Sequence, residues 1–395
     1  MQNLWPDYDN QQSQAESARV AQKQPSSQRR RPTERDVLSA LREWLLHDYI
    51  VPYCKSLSAT RIFRRCYWID GLGGNHILQS VLSASIELAK EDKSITLHYL
   101  SLEPRKSKRK VSGSEAAINI PKESGSVRAG WPEVATPLLQ AIDQSASIFS
   151  LNPFATVTPF AFEDLSPLYQ RTAPTELCLL ISYQQIEKRL IPMIGSPDGA
   201  RAITALLHSD RWKSTLTDNI EKSVAEKLSI AFLESIQQQH FLTVQLIPFI
   251  MHTAPAVVEP VPYALIYATR RQDSLLYMND ALCTYHRRLQ EQSLEGTLSQ
   301  SWFVAQQQER LASEMRELYQ HILRQGRAQR QRRWPDLRQQ ILIQNFGHFT
   351  LQDYDSMIQK MLRNGEVRCE WRQHPLDNPP LEEQRIPGNV DILLW

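Results

Sequence analysis

The stretch Tyr67-Trp68-Ile69-Asp70-Gly71-Leu72-Gly73-Gly74-Asn75 decides the fold. Its first half is apolar and aromatic, which predicts a buried strand, and its glycines predict a sharp turn directly after that strand. A helix is predicted next, from about His76 to Lys90. Glycines in such a turn let the backbone approach a ligand, and the following helix directs amides toward it. Turn glycines in a plain α/β domain have the same pattern, so both interpretations stay open.

Further strands alternate with helices on both sides of this stretch. Strands are predicted at 95–102, ending at Glu103, and at 146–151, 177–182, 241–251 and 261–268. Alternating strands and helices indicate a largely parallel sheet with helices on both faces. The last two strands are separated by a short loop, which allows an antiparallel pair because a parallel crossover needs a dozen or more residues. The predicted fold class is therefore α/β, with a Rossmann-like sheet of the methyltransferase type and a helical, winged-helix-like C-terminal region.

Changes in composition divide the chain further. Residues 1–33 are polar and predict a disordered tail, because they cannot bury enough apolar surface to offset chain entropy. Residues 34–292 form the predicted methyltransferase-like domain, with a helical insertion at about 184–239, and 104–127 is predicted to be a loop. A long helical linker is predicted at 298–334 and a winged-helix-like domain at 335–395, where Thr350 and Asp353 have the spacing of a helix cap.

Composition excludes several classes of protein. The net charge is only +2, so any surface for nucleic acid has to be a local patch. Five scattered cysteines lack metal-ligand spacing and favour a reducing compartment, so a cytoplasmic location is expected. No stretch is long and apolar enough to predict a transmembrane helix, and no signal peptide is predicted. We find no Ser-His-Asp signature, Walker loop or pair of catalytic carboxylates.

Two turns are candidates for chemistry. In the first, Asp70, Gly71, Gly73 and Gly74 form a possible cofactor loop, and Glu103 at the end of the next strand is placed to bind ribose hydroxyls. In the second, Asn152, Pro153 and Phe154 follow a strand. An Asn-Pro-aromatic turn can present an amide oxygen and a backbone carbonyl to an exocyclic amine, with the ring stacked on a flipped base. The simpler interpretation of this second turn is ordinary strand punctuation.

The order of these features resembles the three-Cys-motif partner proteins, over roughly residues 36–290. The matching segments are Tyr67–Gly74, Asn152-Pro153-Phe154-Ala155, Glu176–Ile181 with Arg189, Asp210-Arg211-Trp212, Tyr263–Thr269 and Met278-Asn279-Asp280. The resemblance implies a methyltransferase-like fold that binds S-adenosylmethionine, and a protein partner related to radical S-adenosylmethionine proteins. By position, Asp70 and Gly74 fall in the cofactor loop, Glu103 at the ribose position and Asn152 to Phe154 at the substrate turn.

Departures from the family pattern leave two functions open. His76 stands where the family has its last loop glycine, and Ala155 replaces another glycine. If the loop is intact, we expect an S-adenosylmethionine-dependent methyltransferase acting on nucleic acid. If His76 blocks it, we expect a catalytically inactive scaffold that binds nucleic acid and a protein partner, with a role in prokaryotic genome defence.

The C-terminal region supplies the candidate nucleic-acid surface. Five arginines lie within ten residues, and guanidinium groups bind phosphate in bidentate geometry: Arg324, Arg327, Arg330, Arg332 and Arg333. A solvated helix end, where arginine complements the helix dipole, is the alternative. The basic run at 105–110 is a second candidate patch.

Overall fold

The computed structural model describes residues 32–73, 77–91, 94–104, 120–155, 160–218, 221–254, 257–294, 300–330, 332–372 and 385–395. The predicted tail, apart from its last two residues, and the basic run at 105–110 lie outside the described residues.

A helical segment precedes the sheet. It consists of α1 (Glu34–Trp44), a short π-helical stretch (Leu45–Ile50) and α2 (Val51–Ala59). Helix α1 begins with a capping box, in which Thr33 Oγ1 accepts from the Asp36 backbone N–H at 3.3 Å and Asp36 accepts from the Thr33 N–H at 2.9 Å. Its buried stripe packs the segment against one face of the sheet.

In the described part of the chain, seven strands form one sheet in the order β3-β2-β1-β4-β5-β7-β6. The strands are β1 (Arg65–Gly71), β2 (Thr96–Leu102), β3 (Gly125–Val127), β4 (Ala146–Leu151), β5 (Thr175–Ser182), β6 (Thr243–Ala254) and β7 (Val257–Thr269). Strands β1 to β5 are parallel, and β7 is antiparallel to both of its neighbours. The mostly parallel sheet and its late antiparallel pair confirm the coarse prediction of a Rossmann-like fold.

Helices cover both faces of the sheet. They are α3 (Leu78–Glu91), α4 (Trp131–Ile142), α5 (Phe162–Gln170), α6 (Tyr183–Arg189), α7 (Ile191–Ile194), α8 (Pro197–Leu207), α9 (Trp212–Asp218), α10 (Val224–Gln237) and α11 (Gln272–Leu294). Helices α6 to α10 occupy the predicted insertion. The prediction of an unbroken loop at 104–127 was wrong, because β3 pairs with β2 there. Three residues are too few for an alternating pattern to reveal a strand.

The C-terminal region packs onto the same core. It comprises α12 (Gln300–Gln329), α13 (Trp334–Gln344), α14 (Leu351–Arg363) and an antiparallel ribbon of β8 (Arg368–Glu370) and β9 (Ile392–Leu394). Asn279 of α11 joins the two regions, since its amide donates to Phe349 O at 2.7 Å and accepts from Gly347 N at 2.9 Å. One apolar cluster continues across this junction, so the predicted linker helix is packed on the core through its second half. The capping box of Thr350 and Asp353 is present as predicted, and winged-helix identity stays a prediction.

Within the described residues, no helix combines the length and the apolar character that a membrane crossing requires.

A buried carboxylate on β5 binds the N-terminal helical segment to the sheet. Glu176 lies near the amino end of β5 and is fully buried. It accepts hydrogen bonds from Tyr53 at 3.2 Å, Tyr267 at 3.2 Å and Tyr49 at 3.4 Å, while Ser274 hydrogen-bonds both Tyr49 and Tyr267. Desolvation raises the pKa of Glu176 to about 7, although hydrogen bonds to the carboxylate oppose that rise. The segment that carries α1 is therefore tied to the sheet through an acid that titrates near neutrality.

We predict that Glu176→Gln changes how stability depends on pH. Because the pKa of Glu176 is about 7 in the folded chain against 4.5 for the free group, its protonation favours folding. That contribution is complete below about pH 4.5 and is lost as pH rises to about 7. The free energy of unfolding of the variant, relative to wild type, should therefore rise by about 3 kcal/mol between pH 4.5 and 8.

Urea unfolding across this pH range measures the effect. Glu187→Gln, at an exposed glutamate of α6, controls for the loss of one negative charge. The same pH dependence in both variants would contradict the role of Glu176.

Candidate functional site

The carboxyl ends of three adjacent parallel strands bring the candidate residues together. Asp70 pairs in register with Ser101 of β2 and with Ser150 of β4. Glu103 and Asn152 each follow those partners by two residues, so both lie at the same edge as the glycine turn. As predicted, the described part of the turn, Gly71 to Gly73, lies at the carboxyl end of a central strand, and Glu103 directly follows the neighbouring strand.

Asp70 is the centre of a buried polar cluster. Its carboxylate accepts from Arg42 Nε at 2.7 Å and from Arg42 Nη2 at 3.1 Å. It also accepts from the Tyr99 hydroxyl and from the Leu72 backbone N–H. Arg42 Nη2 donates in addition to the carbonyl of Gly73, so this side chain fixes the loop itself.

The position of Asp70 at the turn, outside the apolar run, predicts that its removal leaves the fold intact, and the buried cluster contradicts that prediction. Asp70 is the penultimate residue of β1, with 0% of its surface exposed, and Arg42 is 1% exposed. Burial, followed by the neighbouring Asp70 carboxylate, raises the pKa of Tyr99 far above its ordinary value, so its hydroxyl remains a donor. Asp70 therefore acts on any ligand through the loop shape that it fixes together with Arg42.

Gly71 and Gly73, the two loop glycines that the structure describes, have different roles. A Cβ on Gly71 would lie 2.7 Å from Leu151 Cδ2, so Gly71 permits close packing of β1 against β4. Gly73 has a φ of +79°, which favours glycine, and a Cβ there would meet no atom within 4 Å among the described residues. Gly73 thus leaves open space beside the loop. Gly74, Asn75 and His76 lie outside the described residues.

Glu103 is held at the edge by its backbone. Its N–H donates to Val127 O at 2.8 Å, which fixes the residue between β2 and β3. The side chain is half-buried. In dinucleotide-binding sheets, a carboxylate in this position relative to a glycine turn accepts hydrogen bonds from ribose hydroxyls.

The turn after β4 is built differently from the prediction. The Phe154 ring is 1% exposed and packs against Phe232 with centroids 5.7 Å apart, so it is a core residue and cannot stack on a base. Asn152 Oδ1 accepts from Phe154 N at 3.0 Å, and Pro153 O accepts from Phe160 N at 2.9 Å. Both oxygens that were expected to bind an exocyclic amine have internal partners. Asn152 Nδ2 is buried and has no hydrogen-bond partner within the described part of the chain.

All five arginines of the C-terminal cluster are exposed: Arg324, Arg327, Arg330, Arg332 and Arg333. They cover the end of α12 and the turn into α13, and none forms a salt bridge among the described residues. Leu393 of β9 donates to Arg332 O at 2.7 Å, so the cluster lies beside the β8–β9 ribbon. Five cations without paired acids are suited to phosphate contacts.

A concave surface lies between α11 and α12. Two adjoining clefts of about 400 and 360 Å³ share Glu314 and His348, and Arg324 lines the second. Arg287 is paired with Asp353, and Arg310 with Glu314, at 2.8 and 2.7 Å. The two clefts together are lined by three arginines and three glutamates, so their charge does not favour an anionic ligand.

Sequence reasoning did not identify Arg42 or Tyr99. Arg42 had a recognisable signal, since it shares the apolar stripe of α1 with Leu38, Leu41 and Leu45. A charged residue within a buried stripe requires a buried counter-charge. Tyr99 has no such signal, because a tyrosine is ordinary in a strand.

We predict that Asp70→Ala destabilises the fold by about 3–5 kcal/mol, because Arg42 is then buried without its counter-charge. Chemical denaturation measures the loss. The double variant Arg42→Met/Asp70→Ala should lose less than the sum of the two single variants, since it leaves no unpaired charge.

Glu91→Ala is the matched control. Glu91 pairs with Lys55 at 2.5 Å, but 61% and 49% of their side chains are exposed, so its loss should change the free energy of unfolding by less than about 1 kcal/mol. An Asp70→Ala loss as small as that of the control would refute the structural role of the buried pair.

No protein-family model matches the chain, and no curated protein matches its sequence. The residues assembled at the sheet edge are therefore the basis for a functional assignment.

Proposed function

We propose that this protein binds S-adenosylmethionine and acts as a methyltransferase on nucleic acid. The observation that carries the proposal is the meeting of a glycine turn, a carboxylate and a buried unpaired amide at the carboxyl ends of β1, β2 and β4. Active sites of open α/β sheets lie at such edges. A parallel sheet with β7 inserted antiparallel is also the arrangement expected of the methyltransferase type.

The residues present fit the cofactor in part. Glu103 would hold the ribose hydroxyls, and the backbone from Gly71 to Gly73 would line the remainder. When bound, S-adenosylmethionine supplies an activated methyl group. The protein then has to hold donor and acceptor in line, which requires few catalytic side chains. Asp70 contributes by keeping the loop in shape with Arg42.

A scaffold without cofactor is the second candidate, and the Arg42–Asp70 pair favours it. Both charges of this pair are satisfied within the chain, so the fold does not depend on a ligand there. In this alternative the protein binds nucleic acid through the C-terminal arginines within a prokaryotic defence complex. Under either function we propose a protein partner of the three-Cys-motif, radical S-adenosylmethionine-related class and a cytoplasmic location.

Calorimetry with S-adenosylmethionine and S-adenosylhomocysteine separates the two functions. We predict binding of both ligands to wild type, and a loss of about tenfold or more in affinity for Glu103→Gln, because hydrogen bonds to a charged group contribute about 1.5–3 kcal/mol. Glu133→Gln, at an exposed residue of α4, is the control and should bind as wild type does. If neither ligand produces binding heat, the methyltransferase proposal is rejected and the scaffold function is favoured.

We predict that nucleic-acid binding depends on salt through the arginine cluster. Changing Arg324, Arg327 and Arg330 to Ala should flatten the slope of log affinity against log salt by about two to three on duplex DNA, if each neutralises one phosphate. The triple variant of Arg64, Arg201 and Arg211, which are exposed elsewhere, should keep the wild-type slope. Equal slopes in wild type and both triple variants would indicate that the cluster is a solvated helix end that does not contact phosphate.

A further inference from the structure

A pocket of about 500 Å³ opens between the first turns of α13 and the segment that leads into β9. It is lined by Pro335 and Arg338 on one side and by residues 386–390 on the other. Its volume lies within the range of roughly 300–1,000 Å³ that is usual for small-ligand sites. Ile386 and Val390 are 43% and 55% exposed, so the pocket has an apolar wall that the described residues leave uncovered.

The wall that leads into β9 is held in place by Asp391. This residue is 0% exposed, and its carboxylate accepts from the Gly388 N–H at 2.8 Å and from the Arg372 N–H at 2.7 Å. Two residues later, Leu393 donates to Arg332 O at 2.7 Å. The wall is therefore fixed by the chain itself and is bonded to the arginine cluster.

Arg338 gives the pocket a donor without giving it a net charge. Its Nη1 donates to both carboxylate oxygens of Asp355, at 2.7 and 2.9 Å, and this carboxylate neutralises the guanidinium. Within the described part of the chain, neither Nε nor Nη2 of Arg338 has an acceptor, and Nε is enclosed. Nη2 is therefore the donor that a ligand in the pocket can reach, and a neutral group with an acceptor suits it.

Uncompensated cations lie directly beside this neutral pocket. Arg332 and Arg333 are exposed, and Arg333 precedes Pro335 of the pocket by two residues. A ligand that fills the pocket and also contacts these arginines has to combine a neutral ring that carries acceptors with an adjoining anion. A nucleotide has both parts, since its base is neutral and its phosphate is charged.

We propose that this pocket takes up an unpaired base of a single-stranded nucleic acid, whose neighbouring phosphates contact Arg332 and Arg333. A carbonyl oxygen or ring nitrogen of the base accepts from Arg338 Nη2, and the ring lies against Ile386 and Val390. The proposal rests on the nucleic-acid binding of the proposed function. It adds that the bound strand is unpaired at this point, because a base stacked within a duplex cannot enter a pocket.

Fluorescence anisotropy on the full chain tests this inference. The probes are a dT strand of about 12 nucleotides, an abasic strand of the same length and a duplex of that length, chosen to match one single-strand binding site. We expect wild type to bind the dT strand about tenfold more tightly than the abasic strand, as is usual for one good hydrogen bond to a charged group.

The double variant Ile386→Asn/Val390→Asn removes the apolar wall. It should bring the ratio of dT to abasic affinity close to one and leave the affinities for abasic strand and duplex unchanged. Because both side chains are exposed, the fold should tolerate the change. Val224→Asn/Leu242→Asn is the matched control, at side chains that are 37% and 49% exposed elsewhere, and it should keep the wild-type ratio.

Two further variants separate base contacts from phosphate contacts. Arg338→Lys keeps a positive charge opposite Asp355 but has no second nitrogen for the base, so it should lower the ratio. Arg332→Ala/Arg333→Ala should weaken binding of the dT and abasic strands alike and leave the ratio unchanged.

Equal affinity of wild type for the dT and abasic strands would overturn the inference, and so would a wild-type ratio in the Ile386→Asn/Val390→Asn variant. Calorimetry with S-adenosylmethionine on the same proteins keeps this inference apart from the proposed function. Base dependence without cofactor binding supports the pocket and rejects the methyltransferase. Cofactor binding together with strand binding that ignores the base rejects the pocket alone.

Discussion

The buried ion pair between Arg42 and Asp70 is the interaction on which the rest of the site depends. Two charges without access to water are tolerated only when their hydrogen bonds are satisfied, and here the carboxylate has partners from Arg42, Tyr99 and the Leu72 backbone. Arg42 also holds the Gly73 carbonyl. The glycine turn thus takes its shape from a helix that precedes the sheet, and α1 and β1 form one structural unit. Glu176 ties the same helical segment to β5, through Tyr49 and Tyr53.

The Arg42–Asp70 pair also limits which groups at the carboxyl ends of the strands can bind a ligand. A carboxylate with four donors has little capacity left for a ligand, so in the function we propose recognition falls to groups around it: Glu103, the backbone beside Gly73 and the amide of Asn152. This division of roles is physically reasonable, because a loop whose charges are already neutralised need not reorganise when a ligand binds. The same neutralisation lets the chain fold without a ligand, which is why a binding scaffold and a methyltransferase both remain compatible with this edge.

Sequence patterns predicted the features that depend on local chemistry. The capping box at Thr350, the glycine turn and the late antiparallel strands follow from residue types and spacing, and the structure confirms them. The direction of a side chain does not follow from spacing. Asn152 was correctly placed at an edge, but its oxygen turned inward to Phe154 N, and Phe154 itself joined the core. The Asn152 contact is a local turn between residues two apart, whereas tertiary packing placed Phe154 in the core, as it placed Arg42.

The C-terminal region matters to the site because it is packed rather than tethered. Asn279 bonds both sides of the turn before α14, Asp280 accepts from Leu351 N at 2.9 Å, and the apolar cluster continues from α1 to α14. A flexible linker would let the arginines hold nucleic acid at any distance from the sheet edge. With this junction closed, the arginines at the end of α12 have a fixed position relative to the sheet. Nucleic acid bound there, as we propose, would therefore be presented to the core in one orientation rather than in many.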